Sequence, residues 1–167
     1  DPLKAKLGRL ISRNVTLRRL FYTALGMVFL RQWHVRAELK RIARERGNTI
    51  RGILDAGSGF GQYTYLMGKL FPWAHIFAVD VKDEQIADCR WFAEQVGQKH
   101  TKFEVADLTR LHESERFNLA LSVDVMEHIA EDEAVFANVF ASLRPDGTFI
   151  VATPSATETG TARTKNE

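Results

Sequence analysis

Residues 53–61 read Ile53-Leu54-Asp55-Ala56-Gly57-Ser58-Gly59-Phe60-Gly61. In this run three alternate glycines follow a short apolar segment that contains one acid. Glycine at these positions lets the backbone turn sharply and approach a ligand, because no Cβ stands in the way. The pattern predicts a strand, a tight loop and the start of a helix, which is how open α/β sheets begin a nucleoside-binding site.

Short apolar runs alternate with helical patterns around this loop. The runs rich in Ile, Val, Phe and Leu predict strands at residues 50–56, 75–80, 101–106, 117–124 and 148–153. Helices are predicted at residues 62–71, 84–96 and 132–143, and a turn at Pro145-Asp146-Gly147. Strands that alternate with helices predict an α/β fold, a Rossmann-like doubly wound and mostly parallel sheet in three layers.

The N-terminal segment shows helical periodicity without strand patterns. Apolar residues recur at three- and four-residue steps over residues 16–46, which predicts an amphipathic helix broken near Gly26 or Trp33, and a shorter helix is predicted at residues 3–11. The uncharged stretch at residues 20–30 falls short of the roughly 20 residues that a bilayer-spanning helix needs. This segment is therefore predicted to be an N-terminal extension of the α/β core.

The net charge of +2 is the sum of two unlike parts of the 167-residue chain. Residues 1–52 carry 13 Lys and Arg against 3 acids, whereas residues 53–167 carry 10 against 18. The expected domain organisation is a basic helical cap at residues 1–47, a core at 48–154 and a polar tail at 155–167. The cap either covers the ligand pocket with its apolar stripe or makes peripheral contact with an anionic membrane. Nucleic acid is an unfavourable partner because the acidic core repels phosphates.

Cysteine and histidine usage limits the chemistry. The single Cys89 can form no intrachain disulfide, which favours a reducing, cytoplasmic location, with membrane association through the basic segment as an alternative. The residues His34, His75, His100 and His112 lack metal-ligand spacing, so no metal site is predicted.

A second acid limits the choice of cofactor. Asp80 ends the second predicted strand, 19 residues beyond Gly61, where a carboxylate can accept the hydroxyl protons of a ribose. A dinucleotide fingerprint needs Gly-x-Gly-x-x-Gly or Ala, and both possible registers fail, at Gln62 and at Thr64. A nicotinamide dinucleotide is therefore disfavoured, although an oxidoreductase remains an alternative.

The order of these motifs resembles the class I S-adenosylmethionine-dependent methyltransferases that act on small molecules, in particular the branch that includes quinone-biosynthesis enzymes. The resemblance covers residues 50–154 and includes segments similar to family motifs at residues 106–108, 122–129 and 143–148. It implies a cofactor-binding set of Asp55, Gly57, Gly59, Gly61, Asp80, Val81, Asp107, Leu108, Ser122 and Asp124. In such enzymes the acid of the first motif orients the amino end of the cofactor, and the acid of the third meets the adenine amino group.

Three of these acids and one histidine have alternative interpretations. Asp55 can cap a helix, Asp80 can be a turn residue, and Asp107 can cap a short helix that begins at Leu108. His128 follows Asp124 by four residues, which predicts a place at the ligand-binding edge of the sheet. There its imidazole can accept a proton from an acceptor hydroxyl, so it is the candidate catalytic residue, or it can brace the next helix.

The resemblance implies a methyltransferase that uses S-adenosylmethionine, releases S-adenosylhomocysteine and modifies a small molecule, with hydrophobic and lipid-like acceptors among the candidates. The alternatives are an NAD(P)-dependent oxidoreductase and a non-catalytic domain that binds cofactor. The family's sheet has seven strands, and only 14 residues remain from Pro154 onward. The C-terminal strands are therefore expected to be missing from this sequence. The oligomeric state and the methylated atom are left open.

Overall fold

A computed structural model describes residues 14–28 and 30–154 of the chain. The helices are α1 (Val15–Val28), α2 (Leu30–Arg46), α3 (Gln62–Leu70), α4 (Asp83–Gln95) and α5 (Asp132–Ser142). The strands are β1 (Gly52–Ala56), β2 (His75–Asp80), β3 (Thr101–Val105), β4 (Phe117–Val123) and β5 (Leu143–Ala152). Single 3-10 turns lie at Gly47–Thr49, Leu108–Arg110 and Met126–His128. The helix predicted at residues 3–11 and the tail at 155–167 lie outside the described residues.

The five strands form one sheet in the order β3-β2-β1-β4-β5, and every neighbouring pair is parallel. The chain order reverses direction between β1, the central strand, and its neighbour β4. Open α/β sheets bind their ligands at the carboxyl ends of the strands at such a switch point. The predicted fold class is confirmed, and the switch point lies beside the glycine loop.

Helices cover both faces of the sheet. On one face, Leu39 of α2 and Met67 of α3 pack against Ile53 and Leu121, and all four are buried. Ile86 and Cys89 of α4 extend this layer over Ala78 and Phe103. On the other face, α5 contributes Val135 and Val139 to a cluster with Leu54, Phe77 and Ala120. Buried side chains alternate between the two faces along each strand because successive Cβ atoms point in opposite directions.

The N-terminal segment consists of two helices, one that ends at Val28 and one that begins at Leu30. The change of helix therefore lies between the two predicted break points, Gly26 and Trp33. The apolar stripe of α2, which includes Val35, packs into the same cluster as the central strands. The boundary expected at residue 47 thus falls within one hydrophobic core. Among the described residues, no helix combines the length and apolar character needed to cross a bilayer.

The turn predicted at residues 145–147 lies inside β5, where it interrupts the regular pairing of β5 with β4. Phe117 of β4 pairs with Leu143, and Leu119 pairs with Thr148, so five residues of β5 advance against two of β4. Asp146 has a φ of 64°, in the left-handed region. The turn residues therefore form a bulge, and regular pairing of β5 begins at Thr148, which was the predicted start of the strand.

Candidate functional site

The carboxyl ends of β1 and β2 are joined by backbone hydrogen bonds from the glycine loop. The amide nitrogens of Gly57 and Ser58 both donate to the carbonyl oxygen of Val79, each at 2.9 Å. The amide of Gly59 donates to Oδ2 of Asp80 at 2.9 Å. The loop and the second acid, which the sequence predicted to share a site, are in direct contact.

All three glycines of the loop have a left-handed backbone, and the space in front of Gly57 differs from that in front of Gly59. Gly57 has a φ of 84°, and a Cβ there would lie 2.3 Å from Cγ2 of Val125. Gly59 has a φ of 51°, and a Cβ there would meet no atom within 4 Å. Gly57 is therefore required by packing against the segment after β4, whereas Gly59 faces open space into which a ligand can fit.

Asp80 uses only part of its hydrogen-bonding capacity within the protein. Its Oδ2 accepts from Gly59, and its Oδ1 accepts from the amide of Lys82 at 3.0 Å. An ionised carboxylate offers about four acceptor positions. The two backbone contacts fix the orientation of the group, and acceptor positions remain for the hydroxyl groups of a ligand.

Asp55 is almost fully buried, with 2% of its surface exposed, and lies on the face of β1 that α3 covers. The hydroxyl of Thr64 in α3 donates to its Oδ2. Burial raises the pKa of Asp55 to about 7. The hydrogen bond from Thr64 lowers this pKa, and the nearby negative charge of Asp80 raises it further. A cationic group of a ligand placed at this carboxyl would favour its ionised form.

Buried polar atoms without a hydrogen-bond partner cluster near this edge of the sheet. They are the hydroxyl oxygens of Ser58 and Ser122 and the amide oxygen of Gln62. Buried polar atoms nearly always form a hydrogen bond with protein or water, so these atoms are candidates to bond a ligand or a water molecule. Ser58 lies within the glycine loop, and Gln62 follows its last glycine. Ser122 shares its side of β4 with Ala120, the side that α5 covers, so its hydroxyl lies on the opposite face of the sheet from Asp55.

The predicted cofactor-binding segment after β3 begins with a capping interaction at Asp107. Oδ1 of Asp107 accepts hydrogen bonds from the amide and the hydroxyl of Thr109, at 2.9 and 2.8 Å. These bonds lower the pKa of Asp107 and cap the 3-10 turn that follows. The capping alternative therefore describes Oδ1, and both of these hydrogen bonds leave Oδ2 unused. The side chain of Leu108 is buried in the core under α5.

Two exposed apolar side chains lie at the carboxyl ends of β2 and β3. Val81, which follows Asp80, is 64% exposed, and Val105, which pairs with Asp80 across the sheet, is 43% exposed. Val105 was absent from the predicted set, although its place at the end of β3 could have pointed to it. Two exposed valines beside an oriented carboxylate form a surface suited to the apolar faces of a flat ring.

The residues after β4 complete the edge. Asp124 has a φ of 55°, and its amide donates to the carbonyl of Ala152 at 2.8 Å, which ties the end of β4 to the end of β5. His128 lies in the 3-10 turn that follows, where its amide donates to the carbonyl of Val125 at 3.0 Å and its side chain is exposed. The predicted catalytic histidine therefore lies after β4 at the ligand edge, with its imidazole open to solvent.

Arg18 and Tyr22 of α1 hold the glycine loop, and the sequence patterns did not single them out. An Arg18 guanidinium nitrogen donates to the carbonyl of Phe60 at 2.9 Å, and the hydroxyl of Tyr22 donates to the same carbonyl. Arg18 also bonds the hydroxyl of Tyr22 and the carbonyl of Asp88, although it is only 3% exposed. Burial raises the pKa of Tyr22, which keeps its hydroxyl protonated and able to donate. Helix α1 thus contacts the loop through its backbone.

Replacing Arg18 with methionine is expected to lower the free energy of unfolding by about 2 kcal/mol, because buried carbonyl groups lose a charged donor. Chemical denaturation of the two proteins measures the difference. Arg19→Met is the matched control, since Arg19 is the exposed neighbour on the same helix and its replacement should change stability by less than about 0.5 kcal/mol. Equal effects of the two substitutions would contradict a specific role of Arg18 in holding the loop.

The raised pKa of Asp55 predicts a stability that depends on pH. The unfolded chain releases this proton near pH 4 and the folded chain near pH 7, so the folded state holds more protons between these values. Stability should therefore fall as pH rises from about 4 to about 7, and Asp55→Asn should reduce this decline. Thermal unfolding in buffers across that range tests it. A decline of the same size in the variant would show that another group is responsible.

Comparison with known proteins identifies related sequences and structures. Residues 51–167 match a family model described as a methyltransferase domain. The ubiquinone biosynthesis O-methyltransferase of Paramagnetospirillum magneticum is 30% identical over 105 residues, which cover 63% of this chain and 41% of that protein. The malonyl-acyl-carrier protein O-methyltransferase of Bacillus cereus is 31% identical over 101 residues, covering 60% and 36%.

A solved structure also matches the described fold. The crystal structure of an S-adenosylmethionine dependent methyltransferase from Mesorhizobium loti aligns with a TM-score of 0.59 and 26% identity, and the match covers 70% of this chain and 51% of that chain. The present chain spans about two fifths of the length of the two curated relatives.

Proposed function

We propose that this chain, which belongs to the methyltransferase domain family, binds S-adenosylmethionine at the carboxyl edge of its sheet and transfers the methyl group to a small molecule. The observation that carries the proposal is the contact between the glycine loop and Asp80, with open space in front of Gly59. A nucleoside with a charged amino-acid end fits an edge that presents two carboxylates at the ends of adjacent strands.

The residues at this edge fit the chemical groups of the cofactor one by one. Asp80 has acceptor positions left for the ribose hydroxyls, and the exposed side chain of Val81 offers apolar contact to the adenine. The carboxyl of Asp55 lies in a buried position where a cofactor ammonium would compensate its ionised form. Oδ2 of Asp107 is the proposed acceptor for the adenine amino group. Gly57, Gly61, Leu108, Ser122 and Asp124 belong to the proposed set through their positions around the loop and the strand ends.

S-adenosylmethionine, when bound, would supply an activated methyl carbon on its sulfonium group and would leave as S-adenosylhomocysteine after the transfer. The protein then has to align the groups and, for a hydroxyl acceptor, remove its proton. His128 is the proposed base, because its imidazole is exposed at the edge that holds the loop. For a carbon acceptor, the same side chain would orient the substrate.

The acceptor is proposed to be a small molecule, and the names of the relatives support this choice. One relative is named as a ubiquinone biosynthesis O-methyltransferase and another as a phosphoethanolamine N-methyltransferase of Triticum aestivum. Hydrophobic and lipid-like molecules are the preferred acceptors in the proposal, since the exposed side chain of Phe60 extends from the loop.

Helix α1 is proposed to act as a cap on the cofactor loop. The support is the pair of hydrogen bonds from Arg18 and Tyr22 to the Phe60 carbonyl, together with an edge-on contact between the rings of Phe21 and Phe60. We retain residues 1–47, 48–154 and 155–167 as the proposed functional division. A cytoplasmic location and peripheral membrane contact through exposed cations of α2 are further parts of the proposal.

Isothermal titration with S-adenosylhomocysteine and with NADH tests the cofactor assignment. We expect binding of S-adenosylhomocysteine and none of NADH, because the loop lacks the third small residue of a dinucleotide fingerprint. The reverse result would favour an oxidoreductase. Methyl-labelled S-adenosylmethionine incubated with a small-molecule extract then separates an enzyme, which transfers label, from a domain that only binds the cofactor.

A further inference from the structure

A cationic cleft lies at the amino ends of the strands, on the edge of the sheet opposite the glycine loop. Its volume is about 480 Å³, within the range of small-molecule sites. Seven of the side chains that line it are basic or imidazole groups, namely Arg51, His75, Lys99, His100, Lys102, Arg116 and Arg144. Among the described residues, none of the lining side chains is acidic.

This concentration of positive charge contrasts with the rest of the core. Residues 53–154 carry 8 Lys and Arg against 16 acids, and four of those 8 line this one cleft. Grouping like charges costs electrostatic free energy, and a surface that gathers them attracts anions. The overall charge of the core therefore does not account for this cluster of cations.

Several of these cations lack an acidic partner. Within the described part of the chain, Arg51, Lys99 and Arg144 form no ion pair. Lys102 and Arg116 contact Glu104 and Glu113, at 2.7 and 2.8 Å. Three guanidinium or ammonium groups are thus available to an added anion.

The walls of the cleft are fixed by the sheet. Oδ1 of Asn118 accepts hydrogen bonds from the amides of Arg51 and Gly52, at 2.9 and 3.1 Å, which holds the backbone that carries Arg51. The rings of Phe77 and Phe117 stack below, with centroids 6.2 Å apart, and the Arg116 guanidinium lies 4.8 Å from the centre of the Phe77 ring. The cations are therefore carried by ordered strand ends.

We propose that this cleft binds a phosphate-bearing ligand, of the phosphomonoester or diphosphate class. Arginine and lysine together suit a phosphate, since guanidinium groups bond its oxygens in pairs and ammonium groups add charge. The phosphate comes either from a free metabolite or from the headgroup of an anionic lipid. The open form of the cleft admits both sources, and the experiment separates them.

The cleft is separate from the proposed methyl-transfer site. Gly52 lines the cleft and Gly57 opens the glycine loop, and five residues of strand span roughly 16 Å. A phosphate at the cleft therefore cannot contact the Asp80 carboxylate. The inference does not rest on the proposed function, and binding at either edge can be measured without the other.

The test compares two double variants that remove the same charge. Arg51→Gln with Arg144→Gln changes the cleft, and Lys69→Gln with Lys82→Gln changes exposed cations of α3 and of the turn before α4 that do not line it. Inorganic pyrophosphate is titrated by calorimetry, and phosphatidylglycerol vesicles are compared with phosphatidylcholine vesicles by sedimentation. Thermal unfolding confirms that both variants fold, and S-adenosylhomocysteine binding reports on the other edge.

We expect the cleft variant to lose about tenfold in affinity for pyrophosphate or for anionic vesicles, because two charge-assisted contacts disappear. The control variant, Lys69→Gln with Lys82→Gln, should change less than twofold. Binding of pyrophosphate alone identifies a free metabolite, and binding of anionic vesicles alone identifies a lipid headgroup. Binding of neither probe, or equal losses in both variants, would overturn the proposal. Tight binding of single-stranded RNA that pyrophosphate cannot displace would also overturn it.

Discussion

Replacing Asp80 with alanine is expected to weaken S-adenosylhomocysteine binding by about a hundredfold. Under the proposed function the carboxylate accepts the ribose hydroxyl protons, and charged hydrogen bonds of this kind contribute about 1.5–3 kcal/mol each. The loss of two of them corresponds to a factor of about a hundred or more in affinity. Isothermal titration of the wild-type chain and the variant measures this ratio directly.

Asp80 also holds the glycine loop, so a second variant is needed to separate the two roles. Asp80→Asn keeps an acceptor for the amide of Gly59 and removes the negative charge, and its loss of affinity should be about tenfold. Asp83→Ala is the matched control, because Asp83 is an exposed acid three residues later in the first turn of α4. Wild-type affinity in Asp80→Ala would remove this residue from the cofactor site.

The same contact explains why the sequence predicted the core of the site. Alternate glycines and an acid at the end of the next strand are local patterns, and the parallel sheet places both at one edge. Gly59 and Asp80 are 21 residues apart in the chain but meet through a single hydrogen bond of 2.9 Å. A strand, a loop and a following strand have few ways to pack, so local pattern determined this part of the geometry.

Contacts made by α1 could not be predicted in the same way. Arg18 lies 42 residues before Phe60, and nothing in the helical periodicity distinguishes it from the exposed Arg19 beside it. A basic residue on an amphipathic helix is normally solvated. Only the packing of α1 against the loop buries this guanidinium, and two of its partners are backbone carbonyls, which carry no sequence signal.

Charge counting missed the cationic cleft for a related reason. Its cations come from the starts of different strands and from the loops before them, as at Arg51, Lys99 and Arg144. In the count by segment, Arg51 belongs to the basic residues 1–52, whereas Lys99 and Arg144 belong to a core in which acids outnumber cations. The parallel arrangement brings all strand starts to one edge, and a count made by strand end instead of by segment would have revealed the cluster.

Replacing His128 with alanine is expected to lower turnover by about a hundredfold for a hydroxyl acceptor, since a positioned base contributes 10²–10⁴-fold. S-adenosylhomocysteine affinity should change less than twofold, because the imidazole is exposed beyond the loop and makes no contact with Asp55 or Asp80. Transfer of labelled methyl and calorimetry on the same preparation measure the two quantities.

The choice of control decides what this result means. His112→Ala removes an exposed imidazole from the segment between β3 and β4, so it reproduces the chemical change away from the ligand edge and should leave turnover unchanged. A base also gives a rate that falls as the imidazole is protonated, and this acidic limb should disappear from the pH profile of His128→Ala. A large loss of turnover with an unchanged pH profile would make His128 a positioning residue, because orientation of the acceptor does not depend on a proton leaving through the ring.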